Sequence, residues 1–274
     1  MTQAPKTVLA IHDLPGFGRA ALSVIVPVLS ALGVQAVAVP TAVLSTHTGG
    51  LGTPSRLSSP GYAPGALAHY QRLGLQFDCI YSGYLAAPAQ ARLVEHAFDL
   101  WPQAYKVVDP VMGDAGHLYR GLDADIVPAF TRLCRRADLI LPNTTEAALL
   151  LGEMPQPAVP LQTAASMAAQ LTGLCPQVVV TGAQDGHSLC NAGAAQNGEG
   201  YCVRTPRLPR MFHGTGDIFG AVVVGRMLQG NVPQAAVQAA SAFVAQCLRA
   251  TPEGADERLG VWLEAALPAL LPPQ

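Results

Sequence analysis

Charge is scarce in this sequence. Only 12% of its 274 residues are Asp, Glu, Lys or Arg, and the formal net charge is −2. No Lys/Arg cluster occurs along the chain, which argues against a nucleic-acid surface. The six cysteines (79, 134, 175, 190, 202 and 247) form no Cys-x-x-Cys pair, and no histidine pair has zinc-ligand spacing. They read as buried free thiols in a reducing compartment. Long apolar runs are missing as well. The run at 8–11 is cut off by His12-Asp13, too short for a signal peptide, and no segment reaches the roughly 20 apolar residues of a membrane span. The expectation is a soluble, cytoplasmic protein with neither a nucleic-acid nor a membrane partner.

Hydrophobic residues, by contrast, make up 50% of the chain, enough for one large buried sheet. The pattern predicts a single α/β domain over 1–274. A strand at 7–11, a helix at 20–32 and a strand at 34–39 read as a parallel pair with a helical crossover. Helices are predicted at 63–73, 88–100, 123–135, from 144 through 151, and at 163–171. The strands between them are predicted at 77–81, 105–108, 138–141 and 177–180. Two short strands, 187–190 and 200–204, flank a turn-rich stretch at 191–199. Helices at 233–249 and 257–271 end the chain. The polar segment 41–61 predicts a long loop, and 45–61 a mobile lid or binding loop. For 51–61, a plain surface excursion stays open.

The chain is organised around His213-Gly214-Thr215-Gly216-Asp217, followed by an apolar helix with no polar face. A buried helix start offers backbone N–H groups and partial positive charge. Glycines at 214 and 216 would let a phosphate reach the bare backbone. Asp217, a carboxylate where an anion is expected, makes sense as the acceptor of a proton from an attacking hydroxyl. A simple turn with a helix cap accounts for the same residues. Ser45-Thr46-His47-Thr48 follows a predicted strand end, where open α/β sheets bind ligands. Asp109 and Asp114 share one loop after a strand, as a ligand-side pair or as turn-stabilising carboxylates. Asn143 and Glu146 have the spacing of a helix capping box.

Together these stretches resemble the ribokinase-like small-molecule kinases and, among them, the pyridoxal kinases. The motifs that carry the resemblance are Ser45-Thr46-His47-Thr48-Gly49, Ser82-Gly83-Tyr84, Asp109-Pro110-Val111-Met112-Gly113-Asp114, Pro142-Asn143-x-x-Glu146, Val180-Thr181-Gly182 and His213-Gly214-Thr215-Gly216-Asp217. All six stand in the family's order and span nearly the whole chain. The resemblance implies a mostly parallel central sheet with helices on both faces. It implies transfer of the γ-phosphoryl group of ATP to the 5′-hydroxyl of a vitamin B6 compound, with Mg²⁺, a question of K⁺, and a homodimer. Asp217 matches the catalytic base, and the backbone of Gly214, Thr215 and Gly216 the anion hole. Asp109, Asn143 and Glu146 match groups near Mg²⁺ and the phosphates, with Asp109 and Glu146 as the metal-side carboxylates. Asp114 and Thr181 match nucleotide-side positions, and Thr48 and Tyr84 positions that touch the pyridine ring. No Gly-x-x-x-x-Gly-Lys-Ser/Thr loop is present, so ATP use would not go through a P-loop.

At Asp13 the chain departs from the serine of many pyridoxal kinases. Asp13 either pairs with a protonated ring nitrogen or aminomethyl cation, or caps a turn and never meets substrate. A hydroxymethylpyrimidine kinase of thiamine synthesis on the same fold and a non-catalytic B6-binding protein are the competing readings.

Overall fold

The computed structural model describes residues 4–57 and 61–271. In chain order its elements are β1 (Thr7–Phe17), α1 (Leu22–Ala31), β2 (Gln35–Thr46), β3 (Arg56–Leu57), α2 (Tyr62–Arg72), β4 (Cys79–Ser82), α3 (Ala91–Leu100), β5 (Tyr105–Val108), β6 (Gly113–Asp114), β7 (His117–Leu118), α4 (Ile126–Cys134), β8 (Leu139–Ile140), α5 (Thr144–Leu151), α6 (Leu161–Leu171), β9 (Gln177–Asp185), β10 (Ser188–Ala195), β11 (Gly200–Pro206), α7 (Thr215–Leu228), α8 (Pro233–Ala250) and α9 (Leu263–Ala266). They fall into two compact units, 1–80 with 208–274, and 81–207, with β4 straddling the boundary in sequence.

In the first unit the strand order is β4-β1-β2-β3. β1 and β2 pair in parallel from Thr7↔Gln35, with α1 as the crossover. Residues 8–11 are fully buried, as an unbroken apolar run in a parallel sheet should be. Both strands outrun the sequence expectation, β1 reaching Phe17 and β2 reaching Thr46. Pro15, Gly16 and the Ser/Thr residues resemble loop residues, yet the pairing resumes beyond an irregularity. His12 pairs with Pro40 and Leu14 with Val43, so Asp13 stands opposite both Thr41 and Ala42. Pro40 has no N–H to donate, and the extra residue makes a bulge beside it. β3 then returns antiparallel to β2 (Val43↔Leu57), so part of the predicted 41–61 loop is a hairpin; residues 58–60 of that loop lie outside the described residues.

α7 is buried from Ile218 to Gly225. At Gly225 a Cβ would stand 2.4 Å from Leu32 Cδ1, so the missing side chain permits close packing there. Arg210 donates to the carbonyls of Leu248, Thr251 and Pro252 and so caps the end of α8. The helix predicted at 257–271 is broken into short turns around α9, with Gly260 at φ 76° between the first two.

In the second unit the strand order is β11-β10-β9-β8-β5, parallel through β5, β8 and β9 and antiparallel beyond. β10 runs on to Ala195, so the turn-rich reading of 191–199 shrinks to its last residues. Small residues made that segment look like a turn, but here they make room. A Cβ on Gly193 would lie 2.1 Å from the Tyr201 ring carried by β11. α5 opens with the predicted capping box of Asn143 and Glu146 and closes on Gly152 at φ 73°.

The start of α7 is seated against the loop after β1. Gly214 has φ 79°, and a Cβ there would stand 1.9 Å from the Arg19 carbonyl oxygen. An alanine must bear both a left-handed backbone and a clash with main chain. Gly214→Ala is therefore expected to destabilise the protein by about 3 kcal/mol in urea unfolding. An unchanged midpoint would mean that residues 18–21 simply move aside.

Candidate functional site

In the first unit, chemistry converges on the first turn of α7. Thr215 Oγ1 donates to the Phe212 carbonyl at 3.2 Å. Gly216 differs from Gly214: a Cβ added at 216 would meet nothing within 4 Å. Packing therefore makes no demand for glycine at 216, and this helix start presents an open backbone face with the positive end of the dipole. Asp217 turns back toward β1. Its Oδ2 accepts from the Ala21 N–H at 2.7 Å, and its Oδ1 lies 3.2 Å from His12 Nε2. Ala21 holds φ 54° and ψ −139°, a conformation that L-residues avoid, and this strain aims its N–H at the carboxylate.

His12 is 2% exposed, and its Nδ1 lies 2.7 Å from Asp13 Oδ1. The Asp13 backbone N–H also points at that nitrogen, 2.9 Å away. One nitrogen cannot serve both contacts. A lone pair facing a carboxylate at the shorter distance would be repelled, so Nδ1 carries a proton. Burial by itself drives the ring toward neutrality. The hydrogen bond to Asp13, the 3.2 Å contact with Asp217 and the charges of both carboxylates outweigh burial and hold His12 up to about 10. Asp13 thus lies inside β1, beside the bulge, with one oxygen committed to His12. Only its place at the end of a strand's apolar run marked His12 in the sequence; of the two carboxylates around it, Asp13 is its neighbour in the chain and Asp217 arrives through tertiary contact.

The predicted binding residues of β2 take up different positions. His47 accepts from the Gly49 N–H at its Nδ1 and donates from Nε2 to the Arg258 carbonyl at 2.6 Å. These partners fix its tautomer and make it a strut between β2 and the turn at 256–260. Its ring lies 5.0 Å from that of His213, and a Cβ on Gly18 or Gly49 would strike one of the two rings. Ser45 and Thr48 are exposed, and Ser45 Oγ accepts from the Ser55 N–H across the hairpin.

The second unit holds the other predicted residues. Asp109 is buried just after β5, and its Oδ2 accepts from the Tyr81 hydroxyl at 3.3 Å. Glu146 is spent on backbone: Oε2 accepts from the Asn143 N–H at 2.8 Å, and Oε1 from the Met112 N–H at 3.1 Å, with the Gly113 N–H farther off. Burial first, then the Asp109 charge, pushes Glu146 well above the usual carboxylate range, although the N–H donors pull the other way. Asn143 accepts from the N–H groups of Thr145 and Glu146 and donates from Nδ2 to the Gly113 carbonyl at 2.7 Å. Asn143 and Glu146 together shape the loop from Asp109 to Asp114. Asp114 is exposed and accepts from the Ala115 N–H at 2.7 Å. Thr181 sits beside Asn143, its N–H on the Pro142 carbonyl at 2.9 Å, and Tyr84 is half-buried after β4. Among the described residues no cluster of three or more His, Cys, Asp or Glu forms a metal cage, and no helix is long and apolar enough to cross a membrane.

Known proteins resemble this chain over most of its length. A pyridoxal kinase of Deinococcus radiodurans is 29% identical, over 88% of this chain and 86% of its own. The crystal structure of pyridoxal kinase from Lactobacillus plantarum is 34% identical, with a TM-score of 0.90 over 97% of this chain and 96% of that one. A Bacteroides thetaiotaomicron protein carrying the name phosphomethylpyrimidine kinase, in a crystal form with pyridoxal, is 35% identical, with a TM-score of 0.92 over 98% of this chain and 97% of that one. The fold is accordingly the ribokinase-like one, a mostly parallel sheet with helices on both faces. Residues 26–261 match the model of the phosphomethylpyrimidine kinase family, to which this chain belongs.

Proposed function

We propose that this chain is a pyridoxal kinase, transferring the γ-phosphoryl group of ATP to the 5′-hydroxyl of pyridoxal, pyridoxine or pyridoxamine. The observation that carries this reading is the Asp217 carboxylate at the start of α7, oriented by a strained Ala21 N–H beside an open Gly216. Relatives named pyridoxal kinase, and a pyridoxal-bound one, support B6 as the substrate class. The family model's own name supports a second reading, a hydroxymethylpyrimidine acceptor.

In the proposed reaction the 5′-oxygen attacks the γ-phosphorus and the bond to the bridging oxygen breaks. ADP leaves with that electron pair, and the hydroxyl proton passes to Asp217. The backbone of Gly214, Thr215 and Gly216 meets the phosphoryl charge. Asp13, Thr48 and Tyr84 are the groups proposed to meet the vitamin ring, and Thr181 and Asp114 the nucleotide. His47 and Ser45 would act by holding the hairpin in shape.

Mg²⁺ fits this chain through few protein ligands, as Mg²⁺ prefers. Asp109 would hold it and Glu146, whose oxygens already accept backbone N–H groups, would act through water; the ion would supply neutralisation of phosphate charge. The same reading carries a K⁺ requirement, a homodimer and a cytoplasmic location with it.

Three outcomes test it. Asp217→Asn should lower kcat for pyridoxal phosphorylation about 10³-fold, the scale of a lost general base, with KM little changed; near-normal turnover would remove Asp217 from the chemistry. Gly216→Ala should not destabilise the fold, since alanine is the better helix former by about 1 kcal/mol, yet should raise the KM for ATP or lower kcat at least about 10-fold. A stable, fully active Gly216→Ala protein would contradict the anion hole. Mg²⁺ with ADP should raise Tm, chelation should abolish the rise, and Asp109→Asn should blunt it; an unaltered shift would place the ion elsewhere.

A further inference from the structure

The proposed chemistry leaves a charge problem that His12 answers. Asp217 must stay a carboxylate to take a proton, while the group arriving at the same helix start is itself an anion. Like charges that close oppose each other in a site shielded from water. His12 lies buried against Asp217, held from its other side by Asp13. The charged groups facing it are Asp13 on its own strand and Asp217 from α7.

The distances favour one protonation pattern. Both ring nitrogens lie close to carboxylate oxygens, Nδ1 2.7 Å from Asp13 Oδ1 and Nε2 3.2 Å from Asp217 Oδ1. A neutral ring would turn a lone pair on one of them. Only the doubly protonated ring serves both. The two contacts are unequal: 2.7 Å is the length of a strong charge-assisted bond, whereas 3.2 Å is long for one, and Nε2 makes no aligned hydrogen bond. A buried donor without an aligned partner is costly. This one lies 3.2 Å from the base, close enough to align with it when substrate binds, as catalytic contacts that tighten only in the complex do.

We propose that His12 is a positioning residue for Asp217: gripped at Nδ1 by Asp13, it presents Nε2–H to Asp217 Oδ1, fixes that carboxylate and offsets its charge where the phosphoryl group arrives. Asp13, His12 and Asp217 then form one line of alternating charge, completed on the far side of Asp217 by the Ala21 N–H. The proposal rests on Asp217 being the base. It gives the bulge at Pro40 a use, since the irregular pairing there sits opposite Asp13, the outer member of the line.

The test is steady-state kinetics of wild type, His12→Gln, His12→Phe, Asp217→Asn and the double variant His12→Gln/Asp217→Asn, from pH 7 to 10.5. At pH 7 His12→Phe should lose about 10²-fold in kcat, the cost of a misplaced catalytic group, with the KM for ATP within about threefold. His12→Gln, which keeps one N–H donor, should recover part of that loss. The wild-type advantage over His12→Gln should shrink as pH rises through about 10, where His12 gives up its proton. Because its value is raised on folding, the stability that His12 contributes is complete below its ordinary value near 6.5 and is lost as pH climbs to about 10. On the Asp217→Asn background, His12→Gln should cost nothing more in kcat. A purely structural His12 would lower activity there too, or independently of pH, and either result would overturn the proposal. Should His12→Phe not fold, His12→Gln and the double variant decide alone. If Asp217→Asn is inactive while folded His12→Gln matches wild type throughout, this inference falls and the base assignment stands. If Asp217→Asn remains active, the base assignment falls, and this inference with it.

Discussion

Much in the first unit depends on the close fit of residues 18–21 against the start of α7. Gly214 has no room for a side chain beneath the Arg19 carbonyl, and Gly260 is nearly as tight against Arg19, at 2.7 Å for an added Cβ. The Arg19 N–H donates to the Leu259 carbonyl, and its guanidinium pairs with Glu264 at 2.9 Å. The loop is thus held between α7 and the C-terminal turns. Ala21 stays in a backbone conformation it would otherwise leave, and its N–H reaches Asp217. Strain here is paired with a hydrogen bond to a charged acceptor, the stronger kind.

Charge is the second constraint. Few charged residues occur in the chain, and several of those that do are buried as carboxylates. In the first unit His12 is held as a cation between Asp13 and Asp217. In the second, Glu146 is buried near the Asp109 charge, and backbone N–H groups from residues 112 and 143 supply the nearby donors. The two clusters handle buried negative charge differently, one with an imidazolium and one with peptide dipoles. In the second, where burial and the Asp109 charge both raise Glu146, a bound cation would relieve the repulsion between the two carboxylates.

Legibility in the sequence followed the range of the physics involved. The alternation of strand and helix was readable because apolar runs and capping residues act locally. Asn143 with Glu146 gave the start of α5 within a residue, and Pro233 that of α8. The extensions of β1 and β2 were not readable. Leu14-Pro15-Gly16 and the Thr/Ser residues after Pro40 have turn chemistry, and only pairing across the sheet makes them strand. The small residues 192–195 were misread for the same reason; among them Gly193 lacks a Cβ where the Tyr201 ring lies. Asp217 and the glycines proposed for the site stand out by motif. His12 does not, because its meaning lies in a contact 205 positions along the chain, a span read directly from the His12–Asp217 pair. Nor could the sequence tell that glycine is demanded by packing at 214 and left open at 216.

The most direct measurement is a competition assay in which pyridoxal and hydroxymethylpyrimidine share one pool of ATP, with both phosphorylated products quantified. The account predicts pyridoxal 5′-phosphate as the main product, formed with one ADP for each molecule. Faster phosphorylation of the pyrimidine, or ATP consumption that is indifferent to pyridoxal, would contradict it.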